Sequence, residues 1–169
     1  MPRPPKIWVT SDWHINHEHM LVAGGHRPAN YVQQLRNELL RTVAEQDTCY
    51  MLGDVIFRRR SYLREFMSGL PGKYHLIMGN HDSETPHWYQ RAGFSSATSV
   101  LSILRHGDQR VCLVHKPEHG QPLLEAGLCD LVVHGHLHAG THRDDTQWLN
   151  RPGYRLVSLE LDGLTPTEL

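Results

Sequence analysis

Five short polar blocks interrupt this chain, each at the end of an apolar, strand-like run. They are Asp12-Trp13-His14, Gly53-Asp54, Gly79-Asn80-His81-Asp82, His115, and Gly135-His136-Leu137-His138. A fold that satisfies all five must end its strands along one edge. In open α/β sheets, sites lie beyond the carboxyl ends of the strands. Carboxylate oxygens mixed with imidazoles suit divalent Mn, Fe, Zn, Co or Ni better than Ca. Two such ions held close together are a known arrangement for hydrolysing phosphate esters. One Asp-x-His would mean little, whereas five blocks in this order predict a two-metal site.

The chain has 169 residues, the size of one domain, and 1–169 is read as a single domain. Its formal net charge of −1 gives no global field to attract nucleic acid, so anion binding must come from local patches or metal. Histidine is the outlier at 14 residues, and the histidines are internal and clustered near turns. Arginine outnumbers lysine 14 to 3, which favours forked phosphate contacts. Cys49, Cys112 and Cys129 each sit in an apolar run and read as buried, reduced thiols. The opening residues precede no long apolar stretch, so neither a signal peptide nor a membrane span is expected. The expected compartment is the cytoplasm, and no obligate protein partner is evident.

Ile7–Thr10 reads as a first strand, followed by a His-, Gly- and Pro-rich loop over 11–29. Asn30 with Gln33 resembles a capping box. Val32, Leu35, Leu39 and Val43 then recur at helical spacing, predicting a helix over 31–46. Thr48–Leu52 and Tyr74–Met78 read as strands, 58–68 and 84–92 as helices. Residues 98–105 and 109–114 suggest a hairpin around His106-Gly107-Asp108. A short helix over 118–127, a strand at 131–133, a polar loop over 139–153 and a last strand over 154–161 complete the reading. Strands alternating with helices argue for a largely parallel sheet, to which the hairpin adds antiparallel character. No internal repeat, low-complexity tract or linker is visible.

At the five blocks the sequence resembles the calcineurin-like metallophosphoesterase family, over residues 7 to about 160. Gly-Asn-His-Asp and Gly-His-x-His are the most specific parts of the likeness. The opening Ser11–His17 looks like the small bacterial and phage members. The resemblance implies an α/β fold, a four-layer αββα sandwich of two mixed sheets flanked by helices. It implies a dinuclear site at the strand edge and hydrolysis of phosphomonoesters or phosphodiesters. By motif, Asp12, His14 and His138 would bind one ion, Asn80, His115 and His136 the other, and Asp54 would bridge them. Manganese is the first expectation, with Fe, Zn, Ni or Co as alternatives. The likeness also makes His81 the group that contacts phosphate and protonates the leaving oxygen. The chain is short for the family, leaving little room for a specificity domain. The protein-phosphatase branch expects an Asp-Arg pair soon after the bridging aspartate, whereas Val55-Ile56-Phe57-Arg58 follows Asp54 here.

Several of the other candidates carry two readings. Asp82 is placed to orient His81 as a carboxylate orients a catalytic histidine. His17 is placed to reach substrate, or is a solvated loop histidine, and His19 lies in the same loop. Arg58, Arg59, Arg60 and Arg64, read as the start of a helix, would bind a second phosphate or a nucleic-acid backbone, or form a solvated face. Arg143, Trp148 and Arg151 follow the last block. Trp148 would stack on a base, or pack its loop on the domain. His136 and His138, two apart, share one face if the segment is extended, with His134 on that face by parity but read as structural. His26, His106, His119 and His142 read as surface groups. The expected substrate is a phosphodiester of nucleotide or nucleic-acid type, the rivals being a phosphomonoester or phosphoprotein. A scaffold of the same fold without turnover is the non-enzymatic rival, and it would be free to lose ligands that are all present here.

Overall fold

The computed structural model describes residues 3–22, 27–138 and 147–169. The first sheet is built from β1 (Ile7–Thr10), β2 (Thr48–Met51), β3 (Lys73–Ile77), β4 (Ser96–Thr98) and β9 (Thr167–Glu168). Its order is β4-β3-β2-β1-β9, parallel except where β9 runs antiparallel to β1. The second sheet holds β5 (Leu101–His106), β6 (Gln109–Val114), β7 (Leu131–His134) and β8 (Tyr154–Leu156), in that order. There β5 and β6 form an antiparallel hairpin, and β6, β7 and β8 are parallel. The helices are α1 (His19–Val22), α2 (Tyr31–Thr42), α3 (Tyr62–Met67), α4 (Pro86–Ala92) and α5 (Pro117–Glu125).

The two-residue period of the strands sorts side chains into three packed layers. Val9, Leu52, Ile77, Val111, Leu113 and Val133 meet between the sheets. Cys49, Met51, Tyr74 and Leu76 point the other way, against Leu35 and Leu39 of α2, Leu63 and Phe66 of α3, and Tyr89 of α4. Cys112 and Val132 likewise turn outward, with Leu123 and Leu124 of α5 against them. This is the αββα sandwich the resemblance implied. All three cysteines are buried and free. Among the described residues no helix is long and apolar enough to cross a membrane.

Several boundaries differ from the sequence reading, each for a local reason. Asn30 makes no side-chain cap; its Oδ1 accepts from the Gln34 amide at 2.9 Å, so no capping box forms. The helix ends at Thr42 because Val43 turns extended (φ −83°, ψ 138°). The third helix starts at Tyr62 instead of 58, because Arg59 is left-handed (φ 52°) and breaks any helix through it. The arginine run therefore precedes the helix. Thr98, read as the first residue of the hairpin, instead ends β4 (Ser96–Thr98), which joins the first sheet beside β3. A turn at Ser158–Asp162 ends the last strand early, and the chain returns as β9, which the sequence reading lacks. The short α1 interrupts the predicted loop.

Candidate metal centre

The strand ends do converge. Asp12, His14 and His138 bring one ligand atom each within 4.8 Å of one another, and so do Asp54, His115 and His136. Five of these six residues, Asp12, His14, Asp54, His136 and His138, have left-handed backbones with φ from 47° to 70°. Such conformations are uncommon in residues other than glycine and gather at functional sites. They turn the chain sharply as each strand ends, aiming the side chains back across the sheet edge. They also correct the parity argument. Residues 135–138 are not extended, so His136 and His138 reach different groups.

Glycines let the loops close on one another. A β-carbon at Gly135 would collide with Ser11 Oγ and Asp12 Oδ2, and one at Gly79 with the Asp54 carboxylate. The same close approach lets His136 N donate to Asp12 Oδ2 at 2.9 Å, linking the two halves. Ser11 Oγ also donates to that oxygen.

Asp54 sits between the groups. Its Oδ1 accepts from His81 N at 2.9 Å. Its Oδ2 lies 3.6 Å from His14 Nε2 in one group and 3.5 Å from His115 Nε2 in the other. Burial pushes this carboxyl up to about 6, with Asp12 and Asp82 adding to the rise and His115 opposing it. A cation beside it would restore the ionised form. Burial likewise lowers His14 to about 3 and His136 to about 4, so both are neutral imidazoles with free lone pairs.

Three observations test whether cations fit. Asp12 Oδ1 and His14 Nε2 are buried with no hydrogen-bond partner, a costly state unless a ligand takes them. His115 Nδ1 lies 2.7 Å from Leu52 O, where it donates; its Nε2 then presents a lone pair to Asn80 Oδ1, 3.0 Å away. Two acceptors facing each other at that distance suit a shared cation. His138 Nδ1 lies 3.2 Å from Glu160 Oε1 while its Nε2 faces Asp12 Oδ1 at 3.9 Å. A carboxylate behind a ligating histidine is a common way to orient it. The residues fit two divalent cations.

Glu160 was not visible as a site residue in the sequence. It pairs with the buried Arg27, whose Nη2 lies 2.6 Å from Glu160 Oε1. Arg27 also donates to Asp12 O at 2.7 Å and Trp13 O at 2.8 Å, tying the first block to the last. Burial works against the Glu160 carboxylate, yet the hydrogen bond from His138 and the charge of Arg27 hold it at about 2. Burial also opposes charge on His138, but Glu160 and Asp12 outweigh it and raise its pKa. No spacing rule joins Arg27 and Glu160 to the blocks; only the fold does.

The remaining candidates divide. His81 is exposed on the rim, with its Nε2 3.9 Å from Asp54 Oδ2 and its ring 5.7 Å from that of His14. Asp82 does not orient it. Asp82 is buried and accepts from Asp54 N, Gly79 N and Val55 N at 2.8, 2.8 and 3.0 Å, and from the Tyr89 hydroxyl at 3.2 Å. It shapes two ligand loops instead. His17 stacks on Phe57 with ring centroids 3.9 Å apart and places Nδ1 3.1 Å from His14 Nδ1. His17, Asn16, Arg58 and Arg59 line a cavity of about 270 Å³ beside this edge. His134 is buried against Tyr154 and belongs to neither group. Trp148 is buried, packed on Tyr154 and covered by Arg151, so it does not offer a face to a base. His106 and His119 are exposed. His26, His142 and Arg143 lie outside the described residues.

Comparison with known proteins agrees with this geometry. A family model described as a calcineurin-like phosphoesterase superfamily domain matches residues 6–157. Gene 66 protein of Mycobacterium phage L5 is 25% identical over 160 residues, covering 89% of this chain and 73% of that protein. A protein of unknown function from Aquifex aeolicus shares the fold at a TM-score of 0.82 and 24% identity, over 98% of this chain and 96% of that one. A novel archaeal phosphodiesterase does so at a TM-score of 0.57 and 16% identity, over 97% and 98%.

Proposed function

The chain belongs to the calcineurin-like phosphoesterase superfamily, and from that premise we propose that it is a divalent-metal-dependent phosphodiesterase acting on nucleotide or nucleic-acid esters. The observation that carries this reading is Asp54 Oδ2, which faces histidines of both ligand groups at 3.5 and 3.6 Å. Asp12, His14 and His138 would hold one cation, Asn80, His115 and His136 the other, and Asp54 both. Manganese is our first choice, since the set mixes hard carboxylate and amide oxygens with imidazoles. Bound there, the ions supply Lewis acidity to the phosphoryl oxygens and lower the pKa of the attacking water.

The chain's own groups do the rest. His81 stands on the open side of the pair, where its imidazole hydrogen-bonds a phosphoryl oxygen and gives a proton to the leaving oxygen. His17, Arg58 and Arg59 line the adjacent cavity and receive one ester arm. A diester carries one negative charge, which two cations neutralise without a guanidinium clamp. The resemblance in fold to an archaeal phosphodiesterase supports that choice. The buried free thiols support a reducing cytoplasm as its compartment.

The test is hydrolysis of bis-p-nitrophenyl phosphate against p-nitrophenyl phosphate by stripped protein reloaded with Mn, Ni, Zn or Mg. We expect the larger kcat/KM for the diester, with Mn. A clearly larger value for the monoester would replace this reading with a phosphomonoesterase.

A further inference from the structure

We propose that the hollow between α3 and α4 is a binding subsite for single-stranded nucleic acid, with a phosphate on Arg64 and Arg91 and a base on Trp88. The cavity measures about 350 Å³ and is lined by Arg60, Ser61, Arg64, Trp88, Arg91 and Ala92. It shares no residue with the two ligand groups.

Its charge is what points to an anion. Arg64 and Arg91 are exposed and come from different helices, yet both line the same hollow. Neither guanidinium has an ion-pair or hydrogen-bond partner among the described residues. Two unpaired guanidiniums lining one space favour an anion there, and forked donors match phosphate oxygens. Arg60 is already committed, pairing with Glu84 and donating to Ser83 Oγ at 2.7 Å. That pairing holds the rim in place and ties it to the loop of His81 and Asp82, which Ser83 follows. Trp88 is half-buried and lines the same space. An aromatic face beside forked cations suits a base and its phosphate together.

A strand is favoured over a free nucleotide because the basic track does not stop there. The left-handed Arg59 divides the arginine run. Arg58, whose Nη1 lies 3.8 Å from Glu18 Oε1, and Arg59 line the cavity beside His17, and Arg60 lines the hollow together with Trp88. Adjacent residues therefore line two separate spaces, a layout that suits a polymer with a phosphate at every residue. As a substrate path this rests on the phosphodiesterase reading above, but binding at the hollow needs no turnover.

The experiment measures fluorescence anisotropy of a short fluorescein-labelled oligothymidylate on metal-stripped protein, over a range of salt. Arg64→Gln with Arg91→Gln is expected to weaken binding about tenfold or more. It should also flatten the dependence of log K on log salt by about 0.7 for each phosphate that the variant no longer neutralises. Arg64→Lys with Arg91→Lys should keep the salt slope. Trp88→Ala should weaken binding about tenfold and leave that slope unchanged. Unchanged affinity and slope in the double Gln variant would overturn the subsite, and both side chains are exposed, so folding is not at risk. Equal binding of duplex DNA, or full competition by free thymidine monophosphate, would overturn the single-strand assignment. Hydrolysis of bis-p-nitrophenyl phosphate by the wild-type protein is scored separately. Activity there with unaltered oligonucleotide binding in the variants sinks only the subsite, and the converse sinks only the phosphodiesterase reading.

Discussion

Glu160 and His138 form a hydrogen-bonded pair, Oε1 to Nδ1 at 3.2 Å, with the imidazole's other nitrogen turned to Asp12. The pair sets the tautomer of a proposed ligand from a residue 22 positions further along the chain. Glu160→Gln should therefore weaken metal binding by about 10–100-fold, the usual range for losing such a partner. Titration of the stripped variant with Mn, followed by calorimetry, checks it. Glu160→Ala should in addition destabilise the fold by roughly 3–5 kcal/mol, because the buried Arg27 loses its counter-charge. Unchanged Mn affinity in the Gln variant would show that His138 is oriented by the loop alone.

Asp54→Ala should empty both cation sites at once, whereas His138→Ala should empty one. The reason is that Asp54 Oδ2 faces both His14 and His115. Metal content per chain by elemental analysis distinguishes the cases. Retention of one full equivalent by the Asp54 variant would remove the bridging role.

The candidate site was legible in the sequence because its proposed ligands sit where strands end, and strand ends are marked by short apolar runs and glycine. Asp12, Asp54, His115 and His136 each follow such a run and the fold brings them to one edge, where Asn80 also meets His115. The supports were not legible. Arg27 and Glu160 meet across 133 positions, and nothing local in either segment marks the meeting. Asp82 misled because adjacency to His81 suggested a pair, while the loop carries its carboxylate inward to three backbone amides. The arginine run misled for a backbone reason: a left-handed Arg59 cannot be read from composition. The fold class was legible from strand–helix alternation, but β9 is two residues long and too short to carry a period.

Asp47 predicts how the metal-free protein responds to acid. Its buried carboxylate accepts from Lys6 N at 2.9 Å, Trp8 Nε1 at 2.8 Å, Ala44 N at 2.9 Å and the Arg3 guanidinium. Burial opposes its charge, but these donors outweigh burial and hold it below the usual carboxylate range. A lowered folded pKa means that the stabilisation is complete above the unfolded value of about 3.9 and is lost as pH falls through the folded value. Asp47→Asn should be less stable than wild type near neutrality, by about 1–3 kcal/mol for the charged hydrogen bonds. The gap should close as the pH drops below about 4. Urea unfolding of both proteins from neutral to acid pH checks this. A gap that stays constant would mean that Asp47 does not titrate with folding.

Asp82→Ala separates a loop organiser from a catalytic orienter. Removing the carboxylate leaves the amides of Asp54, Val55 and Gly79 without their acceptor. Each buried orphan costs roughly 1–3 kcal/mol, so the melting temperature should fall sharply and metal content with it. An inactive variant of wild-type stability and full metal content would restore the orienting role.

His81→Ala should keep both cations and lose turnover. The ring is exposed and its Nε2 stands 3.9 Å from Asp54 Oδ2, within reach of a phosphoryl group shared with the ligand pair but outside both groups. Metal content should therefore match wild type. Proton donation by a placed imidazole contributes about 10²–10⁴-fold, and its value depends on how badly the leaving oxygen needs a proton. A p-nitrophenolate leaves readily without one, while a nucleoside alkoxide does not. The loss for a dinucleotide should thus exceed the loss for bis-p-nitrophenyl phosphate. If the two losses were equal, His81 would be acting through phosphate contact alone, because an electrostatic contact to the phosphoryl oxygens does not discriminate between leaving groups.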